Sequence, residues 1–447
     1  MDLGIVDALR SPGGQELLAR LPHPYDPAAT MSLTATLRAQ GHSPELVAAA
    51  LTQSELRTRA ERKFGADATR LLFTREGLEQ SSRPVVAKLH AERFAEAGVR
   101  AVHDLGCGIG GDAIALVRSG IDVDAVDSDP VTASVAAHNL AQVTGQRPGP
   151  ERSPTLGSAR VHRGAAQDPR WRREAQRRLE SGSRSNRGVG LWLDPGRRAP
   201  GIADSHGRTR RTRSLELMSP PWEIVQRLAQ QWPGAGVKLG AGFDPASLPA
   251  ETEAHWVSHD SETVECLVWW GAMAREPGTR SALVHARARW HRLVASLDVS
   301  TAPRVGSERE VGRVLYELDP AVSAAGLRAQ VSAELDASLL GSSRYLTSDH
   351  LTDTVWARGW DVHEVLPLRT ATLRQWARRE DVGALTVKRP SRHAPGGDMV
   401  PEVDALRRRV APSGSRPATL LLSDLAPGRA GVALWVSPCP DGGTATR

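Results

Sequence analysis

Lysine is nearly missing from this 447-residue chain, which has 57 basic residues but only four lysines, leaving 53 arginines. So strong a bias can follow from codon composition as well as from binding, so the distribution of charge says more than its total of +6. Cysteine is also scarce. Cys107, Cys266 and Cys439 are far apart and form no C-x-x-C pair, which argues against a disulfide framework and against a zinc site. No apolar run approaches the roughly 18 to 20 residues a membrane helix needs. The opening MDLGIVDALRSPGGQ lacks the basic stretch and apolar core of a secretory leader. The expectation is a cytoplasmic protein with no membrane segment, no metal and no internal repeat; its oligomeric state is left open.

The positive charge is concentrated. Residues 152–213 hold 16 arginines against 5 acids, a net of +11, so the rest of the chain sums to −5. Such a segment suits an anionic polymer such as nucleic acid, and a solvated insertion is the equal alternative.

Hydrophobic spacing divides the chain. Residues 1–95 read as helical, with PELVAAALTQSELRTRAERKFG and RPVVAKLHAERFAEAG repeating apolar residues at three and four positions. After Gly98 the pattern changes to short apolar runs alternating with helices. VRAVHDLG (99–106) and GIDVDAVDSD (120–129) read as strands around the helix GGDAIALVRSG, and DPVTASVAAHNLAQ follows as a second helix. This β-α-β-α order implies a doubly wound parallel sheet, an α/β fold. GVGLWLD, GAGVKLG and VECLVWW supply further strands, the last expected to close the sheet, while QRPGPERSPTLGS and RRLESGSRSNRG read as loop insertions. Residues 96–300 thus form a sheet domain. Residues 301–355, including the helix-like AAGLRAQVSAELDASLL, form a connector, and 356–440 a small α+β domain.

The strongest motif is DLGCGIGGD, Asp104 to Asp112, which ends the first strand and opens a helix. Its glycines let backbone approach a ligand, and the helix start offers unpaired N–H groups. Gly106, Gly108 and Gly111 also satisfy G-x-G-x-x-G, the dinucleotide fingerprint. Asp104 weighs against that reading: two residues before the first glycine, its carboxylate would repel a pyrophosphate but accept hydrogen bonds from a cationic amino-acid group. S-adenosylmethionine carries such an ammonium group. Asp127, 21 residues after Gly106, stands where a carboxylate grips ribose hydroxyls.

DLGCGIGGDAIAL followed by VDAVDSDP resembles motifs I and II of class I S-adenosylmethionine-dependent methyltransferases, which implies a Rossmann-like sheet. The GIGGD variant, FTREGLEQSSRP and the LDPGRR loop are similar to a bacterial group that carries a C-terminal THUMP-like module. The resemblance implies that Asp104, Gly106, Gly108 and Gly110 line the methionine end of the cofactor and that Asp127 meets its ribose. Where the group has an adenine-contacting acid, this chain has Ala165 and Ala166; Asp168 is the nearest substitute.

Methyltransferases acting on exocyclic amines place Asp/Asn/Ser-Pro-Pro-aromatic after the fourth strand. There the side chain and a proline carbonyl accept hydrogen bonds from the amine. LDPGRR matches at Asp194 and Pro195, the expected catalytic residues. Gly196 replaces the second proline and Arg197 the aromatic. Arg197 and Arg198 are the expected substrate contacts, since a guanidinium stacks on a base or holds phosphate. Ser219-Pro220-Pro221-Trp222 fits the pattern better as a string, but its surroundings read as a helix entry. His255 and His259 read as isolated surface histidines. Arg75, Glu79, Gln80 and Arg83 form either a lid over the cofactor or a charged helix start.

Between Arg358 and Arg429 there are 13 Arg/Lys against 8 Asp/Glu, with clusters at Arg378-Arg379, Lys388-Arg389 and Arg407-Arg408-Arg409 that suit phosphate contacts. THUMP namesakes present RNA to catalytic domains, so the resemblance implies an RNA partner. The favoured expectation is methyl transfer to a nitrogen of an RNA base. A methyltransferase of a small molecule or protein, and a non-catalytic RNA-binding protein with a degenerate cofactor site, stand as alternatives.

Overall fold

The computed structural model describes residues 2–145, 156–180, 188–196, 198–203, 209–211, 215–243, 245–295, 301–341, 343–388, 403–425 and 431–439. The chain divides into two compact units. One comprises Met1–Phe243, Pro249–Glu253 and Leu267–Pro277; the other comprises Asp244–Leu248, Ala254–Cys266 and Gly278–Arg447.

The first unit opens with the α-helices Leu3–Arg10, Pro12–Arg20, Thr30–Ala39, Pro44–Phe64, Arg75–Gln80 and Pro84–Glu96. The longest shows why these segments are helical. Ser43 Oγ accepts from Leu46 N at 3.2 Å, Pro44 occupies the first turn, and the helix stops at Gly65. Its buried face carries Val47, Leu51, Leu56 and Ala60.

Strands follow in chain order: β1 (Ala101–Leu105), β2 (Asp122–Asp127), β3 (Ala159–Arg163), β4 (Val189–Leu193), the ribbon β5 (Arg198–Ala203) and β6 (Thr209–Arg211), β7 (Gly234–Leu239), β8 (Glu253–His259) and β9 (Glu262–Gly271). In the first unit the order is β9-β7-β4-β1-β2-β3. The pairs from β7 through β3 are parallel, with the helices Gly111–Arg118 and Pro130–Thr144 as crossovers. All five residues of β4 and all six of β7 are buried, as parallel strands covered on both faces must be. Trp192 of β4 packs among His90, Phe94 and Trp269, with ring centroids 4.6 to 6.2 Å apart. This is the doubly wound α/β arrangement expected from the strand and helix pattern.

The second unit continues with β10 (Arg280–Ala286), β11 (Arg289–Val294), β12 (Val314–Leu318), β13 (Ser338–Leu340), β14 (Tyr345–Ser348), β15 (Ala357–Pro367), β16 (Val382–Lys388), β17 (Arg416–Asp424) and β18 (Gly431–Pro438). Its seven-stranded sheet runs β13-β14-β12-β15-β18-β17-β16. Both faces carry core: Leu420 and Leu422 pack with Trp376 and Leu406, while Leu421 packs with Tyr345 and Trp360, the alternation a strand imposes.

Two expectations change here. The stretch read as a connector, 301–355, supplies β12, β13 and β14 to the same sheet as the C-terminal strands, because VLYEL and YLTS are buried throughout. The helix-like 324–340 breaks into the helices Pro320–Ala324 and Arg328–Glu334 and then strand β13. Gly326 and Asp336, both at positive φ, separate the pieces.

Candidate active site

The site lies where β1, β2, β4 and β7 end, the C-terminal edge at which open α/β sheets bind ligands. Leu105 of β1 pairs with Leu193 of β4, and Leu193 pairs with Val237 of β7. The next residue on each strand is therefore in one row: Gly106, Asp194 and Lys238. A cavity of about 420 Å³ opens over them.

The β1 turn forms its floor. Gly106 has φ +95°, and a Cβ there would lie 2.6 Å from the carbonyl oxygen of Asp194, so only glycine allows the two loops to meet. The amides of Gly106 and Cys107 both donate to Val126 O, at 2.8 and 3.0 Å. Asp127, at the end of β2, accepts from Gly108 N at 3.1 Å and from Asp129 N at 2.9 Å. Burial raises its carboxyl above the usual range.

Asp104 lies one position behind this floor, 1 % exposed, and neither carboxylate oxygen has a hydrogen-bond partner. Burial first, then the charges of Asp112 and Asp194, push its carboxyl well above the usual range, with Lys238 opposing them. Asp112 is the converse. Burial would raise it, but Lys238 and His90 pull it below the usual range. It accepts from Ser82 Oγ at 3.0 Å, faces His90 Nδ1 at 2.8 Å and pairs with Lys238 Nζ at 3.3 Å.

Lys238, 6 % exposed, also pairs with Asp194 and donates to Ser82 Oγ at 3.2 Å. Asp194 keeps 27 % of its side chain exposed and lines the cavity with the buried Pro195. Gly196 exchanges two backbone hydrogen bonds of 2.9 Å with Ser219. LDPG and SPPW, rivals for one role as strings, thus line the cavity together, through Asp194, Pro195, Gly196, Ser219 and Pro220. Trp222 begins the helix Trp222–Gln230, as its context implies, and its ring lies 5.8 Å from Trp270.

The remaining sequence candidates distribute as follows. Gly106, Gly108, Asp127, Asp194 and Pro195 line the cavity, with Gly111 and Asp112 beside them. Asp104 and Gly110 stand behind the wall, Gly110 as the left-handed N-cap of the helix Gly111–Arg118. Arg197 falls outside the described residues, as does the side chain of Arg198. Asp168 turns to Arg170 (3.1 Å), and the lining near β3 comes from Gly164 to Gln167 instead. Of the lid candidates, Gln80 lines the cavity together with Glu76, whereas Arg75 pairs with Glu55 at 2.9 Å. His255 is buried against Ser281 Oγ at 2.5 Å, and His259 stacks on His285 at 4.8 Å, so neither is an isolated surface group. Among the described residues no group of three or more His, Cys, Asp or Glu could hold a metal, and no helix is long and apolar enough to cross a membrane.

Lys238 and Asn139 escaped the sequence reading. Asn139, on Pro130–Thr144, bonds Leu72 N and O at 2.8 and 3.0 Å and Ile109 O at 2.9 Å, tying the N-terminal segment to the glycine loop. Four carboxylates against one lysine leave this region negative, and a glycine cradle and an unpartnered buried Asp104 accompany them. These features fit a cationic cofactor with the ammonium and sulfonium of S-adenosylmethionine.

Comparison with known proteins agrees. Residues 357–438 match the THUMP domain-like family, and residues 2–60 match a domain of unknown function, DUF8688. An "uncharacterized S-adenosylmethionine-dependent methyltransferase" of Mycobacterium tuberculosis is 27 % identical over 393 residues, covering 83 % of this chain and 91 % of that protein. The crystal structure of a "putative methyltransferase" from Porphyromonas gingivalis W83 superposes with a TM-score of 0.65 at 19 % identity, covering 93 % of this chain and 99 % of that one. In fold and over most of its length the chain is thus similar to S-adenosylmethionine-dependent methyltransferases. Its C-terminal domain is THUMP-like.

Proposed function

We propose that the protein methylates a nitrogen of an RNA base, an exocyclic amine in particular. The observation that carries this reading is that Asp194 and Pro195 share one cavity with Gly106, Gly108 and Asp127. Bound S-adenosylmethionine would supply an electrophilic methyl group on its sulfonium. Asp127 would hold the ribose hydroxyls, the glycine turn would admit the methionine end, and Asp104 would balance the ammonium charge. The Asp194 carboxylate and the Pro195 carbonyl would accept hydrogen bonds from the amine and turn its lone pair toward the cofactor. With the methyl group taken up, the nitrogen would carry one proton too many and would shed it to water, so no residue of the chain need act as its base. Alignment and exclusion of water account for the rate, without a strong base.

RNA as the acceptor is supported by the THUMP-like match and by the net charge of +11 in residues 152–213, which surround the Asp194 loop in sequence. The test is transfer of labelled methyl from S-adenosylmethionine to total RNA from cells lacking the gene, followed by nucleoside identification. Incorporation is expected, with Asp194→Ala falling about 100-fold while calorimetric cofactor affinity holds. Label in protein alone, or no transfer from a chain that binds the cofactor, would overturn the reading.

A further inference from the structure

A buried ammonium group is costly to desolvate, and buried ion pairs are weak evidence of stabilisation, so a lysine at the floor of this cavity requires another reason. Lys238 of β7 follows Val237, the register partner of Leu193, and so stands beside Asp194, the residue just after β4. Its Nζ touches Asp194 on one side and Asp112 and Ser82 on the other. Asp112 is fixed in turn by His90, whose ring lies 4.6 Å from Trp192 of β4, two residues before Asp194. The network therefore closes on itself: Asp194, Lys238, Asp112, His90, Trp192.

We infer that Lys238 is the positioning residue of the acceptor site, holding the Asp194 carboxylate ionised and fixed in orientation so that it accepts from the substrate amine. The inference rests on the acceptor role proposed for Asp194. Asp104 of β1 and Asp127 of β2 act on Asp194 as like charges, and the ammonium of Lys238 opposes them from within the same row. Without that ammonium, a carboxyl in such company protonates more readily, and a protonated Asp194 offers a donor where the amine needs an acceptor.

The test uses the full chain, labelled S-adenosylmethionine and the same total RNA under single-turnover conditions. Lys238→Met is expected to lower the rate about 100-fold and to move the acid limb of the pH profile upward. Its calorimetric affinity for S-adenosylmethionine should be equal or tighter, because a cation has left the cavity. Lys238→Arg should recover most of the rate and the original profile. In a second pair, adding K238M to D194N should change the rate less than threefold, since a neutral amide needs no counter-ion. K238M with wild-type rate and profile, K238M that loses cofactor binding along with activity, or equal K238M effects in both backgrounds would each overturn the inference. A wild-type chain that leaves RNA unlabelled would instead overturn the proposed function.

Discussion

Asp104 is buried beside Asp112, Asp127 and Asp194, with no hydrogen-bond partner of its own. Because its folded pKa is raised, the stability it contributes is full below the ordinary carboxylate value of 3.8 and is lost as pH rises through the raised value. Asp112, held low by Lys238 and His90 against its burial, has the opposite sign. Its contribution is present above the ordinary value and is lost as pH falls toward the lowered one. Asp104→Asn is therefore expected to stabilise the cofactor-free protein at pH 7 by about 1–3 kcal/mol, seen as a higher Tm, and to lose that gain near pH 4. The same variant should weaken S-adenosylmethionine about tenfold, because a carboxylate behind the cavity wall no longer balances the ammonium charge. Thermal unfolding at the two pH values and calorimetry check both halves; equal Tm and unchanged affinity would remove Asp104 from the cofactor site.

At the scale of the element, the row Gly106, Asp194, Lys238 is set by strand register rather than by any one loop. Gly106→Ala should propagate along it: a Cβ at 2.6 Å from the Asp194 carbonyl, at φ +95°, costs about 1–3 kcal/mol and pushes the acceptor loop away. A lower Tm together with loss of methyl transfer is the expected outcome in unfolding and activity assays.

Much of this edge was legible in the sequence. Buried runs ending in Asp104, Asp127 and Asp194 announce strands that deliver carboxylates to one side of a parallel sheet. Lys238 was not legible, because one lysine after GAGV reads as the exposed end of a strand, and its partner Asp112 lies 126 residues earlier. SPPW was misleading for a related reason: as a string it competes with LDPG, whereas in space the two are hydrogen-bonded neighbours. Strand β13 was missed because SLL is too short to break the helical spacing before it.

Across the whole molecule, charge counts overstate the free cations of the THUMP-like domain. Arg379 is paired with Glu364 and Glu380, Lys388 pairs with Glu317 at 2.8 Å and lies over Trp360, and Arg407 donates to Leu385 O at 3.0 Å. Arg408 and Arg409 are exposed on the helix Val403–Val410. The double change R408E/R409E should weaken binding of total RNA and lower the slope of log affinity against log salt by about 2. Cofactor affinity and Tm should hold, whereas Arg407→Glu should also lower Tm. Filter binding across a salt series, with calorimetry, separates these results. Unchanged RNA affinity and slope would remove this helix from the RNA surface.

The backbone passes between the two compact units after residues 243, 248, 253, 266 and 277, the fourth passage falling inside β9. No single cut in the gene can therefore release the two units as separate folded pieces. A fusion point chosen anywhere in that interval would leave fragments of one unit attached to the other. The roles of the two units are therefore better distinguished by point substitution than by truncation.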